Sequence, residues 1–379
     1  MASTNEIVII DISALLSSHT KPPSPEAVEV AKKIYAAFST LGFCQFTGHD
    51  IPVELQADLV KCSQQFFALP EAEKSALHVK NGGIAWRVYA PLGGESTHGR
   101  TDWKEGIYFG PEHPADHPHA GMLLHGANQF PDASIPAMRG VVQDYVNFII
   151  ELGKIICDGL SSSLGLEKDF IRENYLQPEP VALFRCWSYP GISQEEEIYG
   201  IGEHSGTILR SGPSGDFAIF TELLDFGFLT ILKQMAPGLQ FLTPQKEWID
   251  VPVVENALIC NVGDMLDRMT VGRFISARHR VLPPAPGTSR LSFPFFFDYS
   301  WTAKIRPFPL SHLPALPAAE DEENKVRWGT TTFTNVEGEW WQYLAKKVKK
   351  VFPDLVLPDF DSNIAPSSRF TIAVPVVAK

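Results

Sequence analysis

The second half of the chain reads Gly200-Ile-Gly-Glu-His204, Asp225-Phe-Gly-Phe-Leu-Thr-Ile-Leu232, Asn261-Val-Gly-Asp264, Ser276-Ala-Arg-His279-Arg-Val281 and Ser289-Arg290-Leu-Ser292 in one ordered stretch. Two histidines and one carboxylate held by strands can form a facial ligand set of the kind that holds non-haem Fe(II). Arg290 and Ser292 are two apart, so on a strand they point to one face. An arginine there can offer paired donors to a carboxylate deep inside a β-structure. Arg290 comes eleven residues after His279, and Pro283-Pro-Ala-Pro-Gly287-Thr between them fits a turn joining two antiparallel strands. A core histidine bonded to a backbone carbonyl, and a buried arginine in an internal salt bridge, are the structural alternatives for His279 and Arg290.

Working outward, Ile7 to Ile12 is apolar and β-branched and predicts a short strand. Ser24, followed by Pro25 and Glu26, predicts a helix start. Val28, Ala31, Ile34, Tyr35, Phe38 and Leu41 recur at helical spacing behind it. Gly42-Phe-Cys-Gln-Phe-Thr-Gly-His49-Asp-Ile-Pro52 predicts a second strand and a turn, and a helix follows to about Phe67. The spacing of Met138, Val142, Tyr145, Ile149, Leu152, Ile156 and Leu160 predicts a long core helix over 135–164, with Gly153 and Gly159 as candidate break points. Val181 to Tyr189 opens the strand-rich half. After Phe297 the chain is Pro-rich and loop-like to about Ala319, and a last helix covers Glu337 to Val351.

The order His, Asp, His, Arg-x-Ser resembles the iron(II)/2-oxoglutarate-dependent dioxygenases, in the branch that contains isopenicillin N synthase. The resemblance spans Ile7 to about Leu355. It includes the Gly42–Pro52 block, the Asp102-Trp-Lys-Glu105-Gly-Ile-Tyr-Phe-Gly110 block and the Thr270-Val-Gly-Arg-Phe run before His279. The resemblance implies a double-stranded β-helix, a jelly-roll relative, with a helical N-terminal region and a C-terminal helix outside. It implies Fe(2+), 2-oxoglutarate as cosubstrate and O2, with His204, Asp225 and His279 as metal ligands. Arg290 and Ser292 would hold the cosubstrate, and Tyr189 matches a tyrosine that can touch it. The implied activity is oxidation of a small organic molecule, by hydroxylation, desaturation or a similar step, coupled to oxidative decarboxylation of 2-oxoglutarate to succinate and CO2. His49 and Asn261-Val-Gly-Asp264 fall in blocks whose role is structural.

The pattern breaks between its first two ligands. The family writes them as His-x-Asp on one strand, but here nineteen residues, Gly206 to Leu224, stand between Ser205 and Asp225. Without them the text reads GIGEHSDFGFLTILKQ, the uninterrupted motif. Asp216 is a rival carboxylate, although its spacing to Gly238-Leu-Gln240 is nine residues longer than that of Asp225. The insert carries Gly-Pro and Ser-Gly turn signals and could loop out of the strand, could disable the site, or could be an unspliced short intron read in frame. Two other functions therefore stand beside the first: an oxidase like isopenicillin N synthase that uses no 2-oxoglutarate, and a barrel that binds ligand but is catalytically impaired.

Composition narrows the partners. The chain has 379 residues, 44% of them hydrophobic, and a formal charge of −12 with no long basic run. That argues against nucleic acid and an anionic membrane surface as partners, and for a small-molecule substrate. Five scattered cysteines, Cys44, Cys62, Cys157, Cys186 and Cys260, form no CxxC pair and read as reduced, buried thiols of a cytoplasmic protein. His113, Asp116, His117 and His119 crowd one segment, but its prolines forbid a strand that would align the rings, so it reads as a solvated loop. The expected organisation is an N-terminal α/β region over 1–175 with the long bracing helix, a jelly-roll catalytic core over 176–305 carrying the 206–224 insertion, and a C-terminal loop and helix over 306–379.

Overall fold

The longest strands are β7 (Ala182–Pro190) and β15 (Ser289–Phe297). They pair antiparallel, from Ser289 opposite Pro190 to Phe297 opposite Ala182. Nearly every residue in both is buried, which requires cover on both sheet faces. In the computed structural model, residues 6–17, 23–77, 85–97, 100–122, 124–191, 200–204, 219–220, 227–329 and 337–351 are described. Around β7 and β15 grows an eight-stranded mixed sheet. On the β15 side lie β10 (Leu229–Gln234), β13 (Leu258–Val262), β2 (Phe43–Thr47) and β1 (Ile9–Asp11); on the β7 side lie β6 (Glu105–Phe109) and β3 (Tyr89–Ala90). Only β1 and β2 pair in parallel within it.

A second sheet holds β12 (Trp248–Asp250), β11 (Leu239–Leu242), β14 (His279–Val281) and β8 (Ile201–His204), in that order. The two sheets meet through aromatic contacts. Phe43 of β2 stacks on Phe241 of β11 at 5.1 Å and meets the His279 ring edge-on at 5.5 Å. Two layers with their apolar faces together are what a jelly-roll core requires. A small third sheet, β5 (Arg100–Asp102), β4 (Glu95–Thr97) and β9 (Ile219–Phe220), has its own ladder, with β4 and β5 beside β8 of the second sheet.

Helices back the large sheet. Ser24 caps the helix Pro25–Thr40 as its sequence predicts, its hydroxyl accepting the Ala27 N–H at 3.2 Å. The buried face is Ala27, Val30, Ala31, Ile34, Ala37 and Phe38, and Val28 is 38% exposed. The apolar stripe is thus turned slightly from the one its spacing suggests. The helix Met138–Ser163 is continuous through Gly153 and Gly159. A Cβ on Gly153 would lie 2.6 Å from the Phe297 ring, and one on Gly159 would lie 2.8 Å from a Leu15 methyl. These glycines let the helix approach its neighbours; they do not break it.

The helix Ala318–Gly329 is absent from the sequence reading. It buries only Asn324 and has no apolar stripe to announce it. Polar contacts to Asp267, on the short helix Asp264–Met269, hold it instead. The Asp267 carboxylate accepts Arg327 Nε at 2.6 Å and Nη2 at 3.0 Å, Trp328 Nε1 at 2.8 Å and the Ser276 N–H at 2.9 Å. Asp267 is at 1% and Arg327 at 21% side-chain exposure, so the bidentate pair is buried on the carboxylate side. Removing the carboxylate loses charge-assisted hydrogen bonds that contribute about 1.5–3 kcal/mol each, while Arg327 keeps some access to water. Asp267→Ala should therefore lower the urea midpoint substantially while secondary structure below the transition stays native. A midpoint equal to that of the wild type would show that the contact contributes nothing to stability.

Candidate active site

A cavity lies between the two sheets. Its wall is set by strand alternation: Arg290, Ser292, Pro294 and Phe296 line it from β15, Arg185, Trp187 and Tyr189 from β7, and Thr230 and Leu232 from β10. Asn261 of β13 and Phe43 of β2 extend this wall, and Leu239, Val281 and His279 close the cavity from the facing sheet. Most of this wall is apolar, so its few polar groups stand out.

His279 is 7% exposed and sits at the start of β14. Its Nδ1 lies 3.1 Å from the Ala277 carbonyl oxygen. A carbonyl can only accept, so this bond places a proton on Nδ1; in the neutral ring Nε2 is then the nitrogen a metal could bind. Directly opposite His279 across the β8–β14 pair stands His204. Cross-strand partners have Cα atoms about 4.5–5.5 Å apart, so the fold brings together two positions 75 residues apart in sequence (279 minus 204). For His204 the backbone alone is described. Asp225 and the rival Asp216 lie outside the described residues, as does most of the 206–224 insertion. Within that insertion Ile219–Phe220 forms β9, parallel to β4, with Ile219 opposite Glu95.

Arg290 is fully buried. Its Nε donates to the Ala236 carbonyl at 3.2 Å and its Nη2 to Gln234 Oε1 at 3.3 Å. Nη1 is buried with no hydrogen-bond partner. The guanidinium carbon lies 5.0 Å from the centre of the Tyr189 ring, and Tyr189 is opposite Arg290 in the β7–β15 register. Burial lowers the pKa of Arg290, an effect that Tyr189 opposes, and burial raises that of the Tyr189 phenol. Among the described residues no carboxylate forms an ion pair with Arg290. A buried cation paired only with neutral oxygens and a ring favours an anion. The free Nη1 gives that anion a donor. Ser292, 3% exposed, lies two residues along on the same cavity wall. These features fit a carboxylate cosubstrate beside a histidine-bound metal.

Three further polar residues belong to the cavity. Asn261, read from sequence as part of a structural turn, is 3% exposed and lines the wall, its Nδ2 buried without a partner. Thr230 and Arg185 line it as well, and Arg185 lies over the Tyr108, Trp187 and Phe296 rings. The same two-residue period that pairs Arg290 with Ser292 extends along β7 to Arg185, and that signal was available in the sequence. The neighbouring Asp264 is structural, accepting the Ser276 hydroxyl at 2.6 Å.

Residues 7–133 match the family described as non-haem dioxygenase in morphine synthesis N-terminal, and residues 180–298 match the 2OG-Fe(II) oxygenase superfamily. A probable iron/ascorbate oxidoreductase of Dictyostelium discoideum is 32% identical over 360 residues, covering 92% of this chain and 96% of that protein. A 2-oxoglutarate-dependent dioxygenase, tropC, of Talaromyces stipitatus is 32% identical over 320 residues, covering 81% and 91%. The fold is similar to that of a full-length Neurospora crassa protein in complex with alpha-KG, with a TM-score of 0.68 at 19% identity, covering 92% of this chain and 97% of that one. The chain thus belongs to the 2OG-Fe(II) oxygenase superfamily and is a 2-oxoglutarate-dependent dioxygenase using Fe(2+), 2-oxoglutarate and O2.

Proposed function

We propose that this dioxygenase oxidises a small organic molecule in the cavity between the sheets, with His204, Asp225 and His279 as iron ligands and Arg290, Ser292 and Tyr189 on the cosubstrate. The observation that carries the reading is the buried Arg290 guanidinium with no carboxylate partner among the described residues. Bound Fe(2+) would supply dioxygen activation coupled to decarboxylation of 2-oxoglutarate. The protein's own part is placement. Arg290 receives the remote carboxylate of 2-oxoglutarate, Ser292 adds a hydroxyl donor, and the Tyr189 phenol, kept neutral by burial, can donate as well. The apolar wall from Phe43, Leu239 and Phe296 excludes water. The cavity's mostly apolar lining favours a small organic substrate. The buried free cysteines support a cytoplasmic location, and no described helix is long and apolar enough to cross a membrane. We assign 1–175 to the N-terminal α/β region, 176–305 to the catalytic core and 306–379 to the C-terminal segment.

Three measurements test this reading. His279→Ala should abolish turnover and iron retention in a folded protein; full iron occupancy in the purified variant would exclude His279 as a ligand. Arg290→Ala and Arg290→Lys should raise the KM for 2-oxoglutarate by a factor on the order of ten to a hundred or more, since each charge-assisted bond contributes ~1.5–3 kcal/mol. Lysine keeps the charge but loses the planar fork, so it should not rescue. Unchanged cosubstrate dependence in both variants would instead favour an oxidase that needs no 2-oxoglutarate.

Excision of 206–224 restores the sequence His204-Ser205-Asp225, in which the two ligand positions again share one strand face. In the full chain the same approach of Asp225 requires the insert to close on itself in register, and a one-residue slip would point Asp225 away. The excised protein should therefore bind Fe(2+) more tightly and release more succinate per mole. If it is folded yet no better on either measure, the insertion is a working part of the enzyme.

A further inference from the structure

The described residues of the segment 112–126 form a loop without strands, as its prolines predict; Asp116 and Pro118 are solvated, but several of its histidines are not. His113 is 9% exposed and His125 is 3% exposed. The imidazoles of His113, His117, His119 and His125 gather around Glu179, which precedes β7. Ring centres lie 4.6 Å apart for His113–His117, 4.7 Å for His113–His125 and 5.1 Å for His119–His125. Trp301, just beyond β15, meets the His125 ring edge-on at 5.2 Å.

One carboxylate oxygen is the focus. Glu179 Oε1 lies 3.1 Å from His117 Nε2, 3.5 Å from His113 Nε2 and 3.7 Å from His119 Nδ1. Despite that crowding, Oε1 and the Nδ1 atoms of His113 and His119 are buried without a hydrogen bond of proper geometry. Zinc–nitrogen bonds of ~2.0–2.1 Å at a tetrahedral angle put donor atoms ~3.3–3.4 Å apart. The 3.7 Å between His119 Nδ1 and Glu179 Oε1 is near that spacing, and the ligand atoms of His119, His125 and Glu179 all lie within 4.8 Å of one another. Burial alone would raise the pKa of Glu179, but the imidazoles of His113, His119 and His117 outweigh it and hold the carboxyl well below its ordinary range.

Two sets of donor atoms, each within 4.8 Å of one another, share this carboxylate: His119, His125 and Glu179, and His113, His117 and Glu179. The first is the better site. In the second, His117 Nδ1 accepts the His119 backbone N–H at 3.1 Å. In the neutral ring the proton must then sit on Nε2, the atom that would bind metal. Position separates this cluster from the cavity. Glu179 lies before the first residue of β7, whereas Tyr189 is near its last, and the seven steps from Ala182 to Tyr189 span ~23 Å.

We propose that Glu179, His119 and His125 bind a late first-row divalent cation, Zn(2+) being the type that imidazole and carboxylate ligands favour. The ion would fasten the 112–126 loop to the start of β7, independently of the iron-binding residues. The test is anaerobic titration of the full chain with Zn(2+) alone, counting equivalents by calorimetry and by metal analysis after desalting. Wild-type protein should take one equivalent more than Glu179→Ala, because Glu179 is common to both ligand sets. His119→Ala, a milder change at a partly exposed residue, should weaken that equivalent on the order of a hundredfold, at or above the loss from removing an outer partner of a ligand. His279→Ala should keep it, whatever happens to iron at the cavity. Zinc should also raise the Tm of His279→Ala but not that of Glu179→Ala/His279→Ala. The same zinc stoichiometry and affinity in wild type, Glu179→Ala and His119→Ala would overturn the proposal and leave the cluster as a set of hydrogen-bonded imidazoles.

Discussion

The buried positive charge of Arg290 is the constraint to which the rest of this site answers. Both faces of β15 are covered, so the guanidinium cannot reach water. A desolvated cation is costly unless its surroundings compensate. Here they compensate in part: Ala236 and Gln234 provide neutral oxygens and Tyr189 provides a ring. An internal carboxylate would have satisfied the charge more completely and would also have blocked the site. The last donor, Nη1, is left without a hydrogen-bond partner, which supports the proposed reading of the position as an anion site.

The small sheet delivers the other half of the site. β10 and β15 fix the large sheet, and Phe43 on β2 packs against both Phe241 and His279 in the small one. The aromatic contacts therefore set the distance between His279 and the Arg290 wall. His279 is oriented by its own neighbour two residues back, Ala277, through Nδ1. Ring orientation and tautomer are thus chosen locally, whereas the pairing with His204 is long-range and rests on strand register. Loss of either would spoil the site for a different reason.

Much of this was legible in the sequence because it depends on short-range rules. The Ser24 cap, the period of the long helix and the two-residue spacing of Arg290 and Ser292 are all local. What escaped was decided by contacts remote in sequence. Val28 is apolar and in phase, yet it lies at the edge of the face that the neighbouring elements cover. Gly153 and Gly159 read as breaks until Phe297 and Leu15 are seen against them. The helix Ala318–Gly329 has no apolar period, because one carboxylate, Asp267, some sixty positions away in sequence, holds it. Asn261 reads as part of a structural turn, and the packing of β13 between β2 and β10 makes it cavity lining instead.

The histidine loop failed for an instructive reason. Prolines do prevent a strand there, but a strand is not the only way to bring imidazoles together. Glu179 and Trp301, at the outer ends of β7 and β15, supply a charge and a flat apolar surface around which an irregular loop can fold its rings. The two strands therefore carry opposite kinds of incompleteness at their two ends. At Arg290 a donor lacks an acceptor, which calls for an anion. At Glu179 a carboxylate oxygen and imidazole nitrogens converge without the hydrogen bonds that would satisfy them, which calls for a cation. A largely buried strand pair can hold both, because its length keeps the two ends from relaxing toward each other.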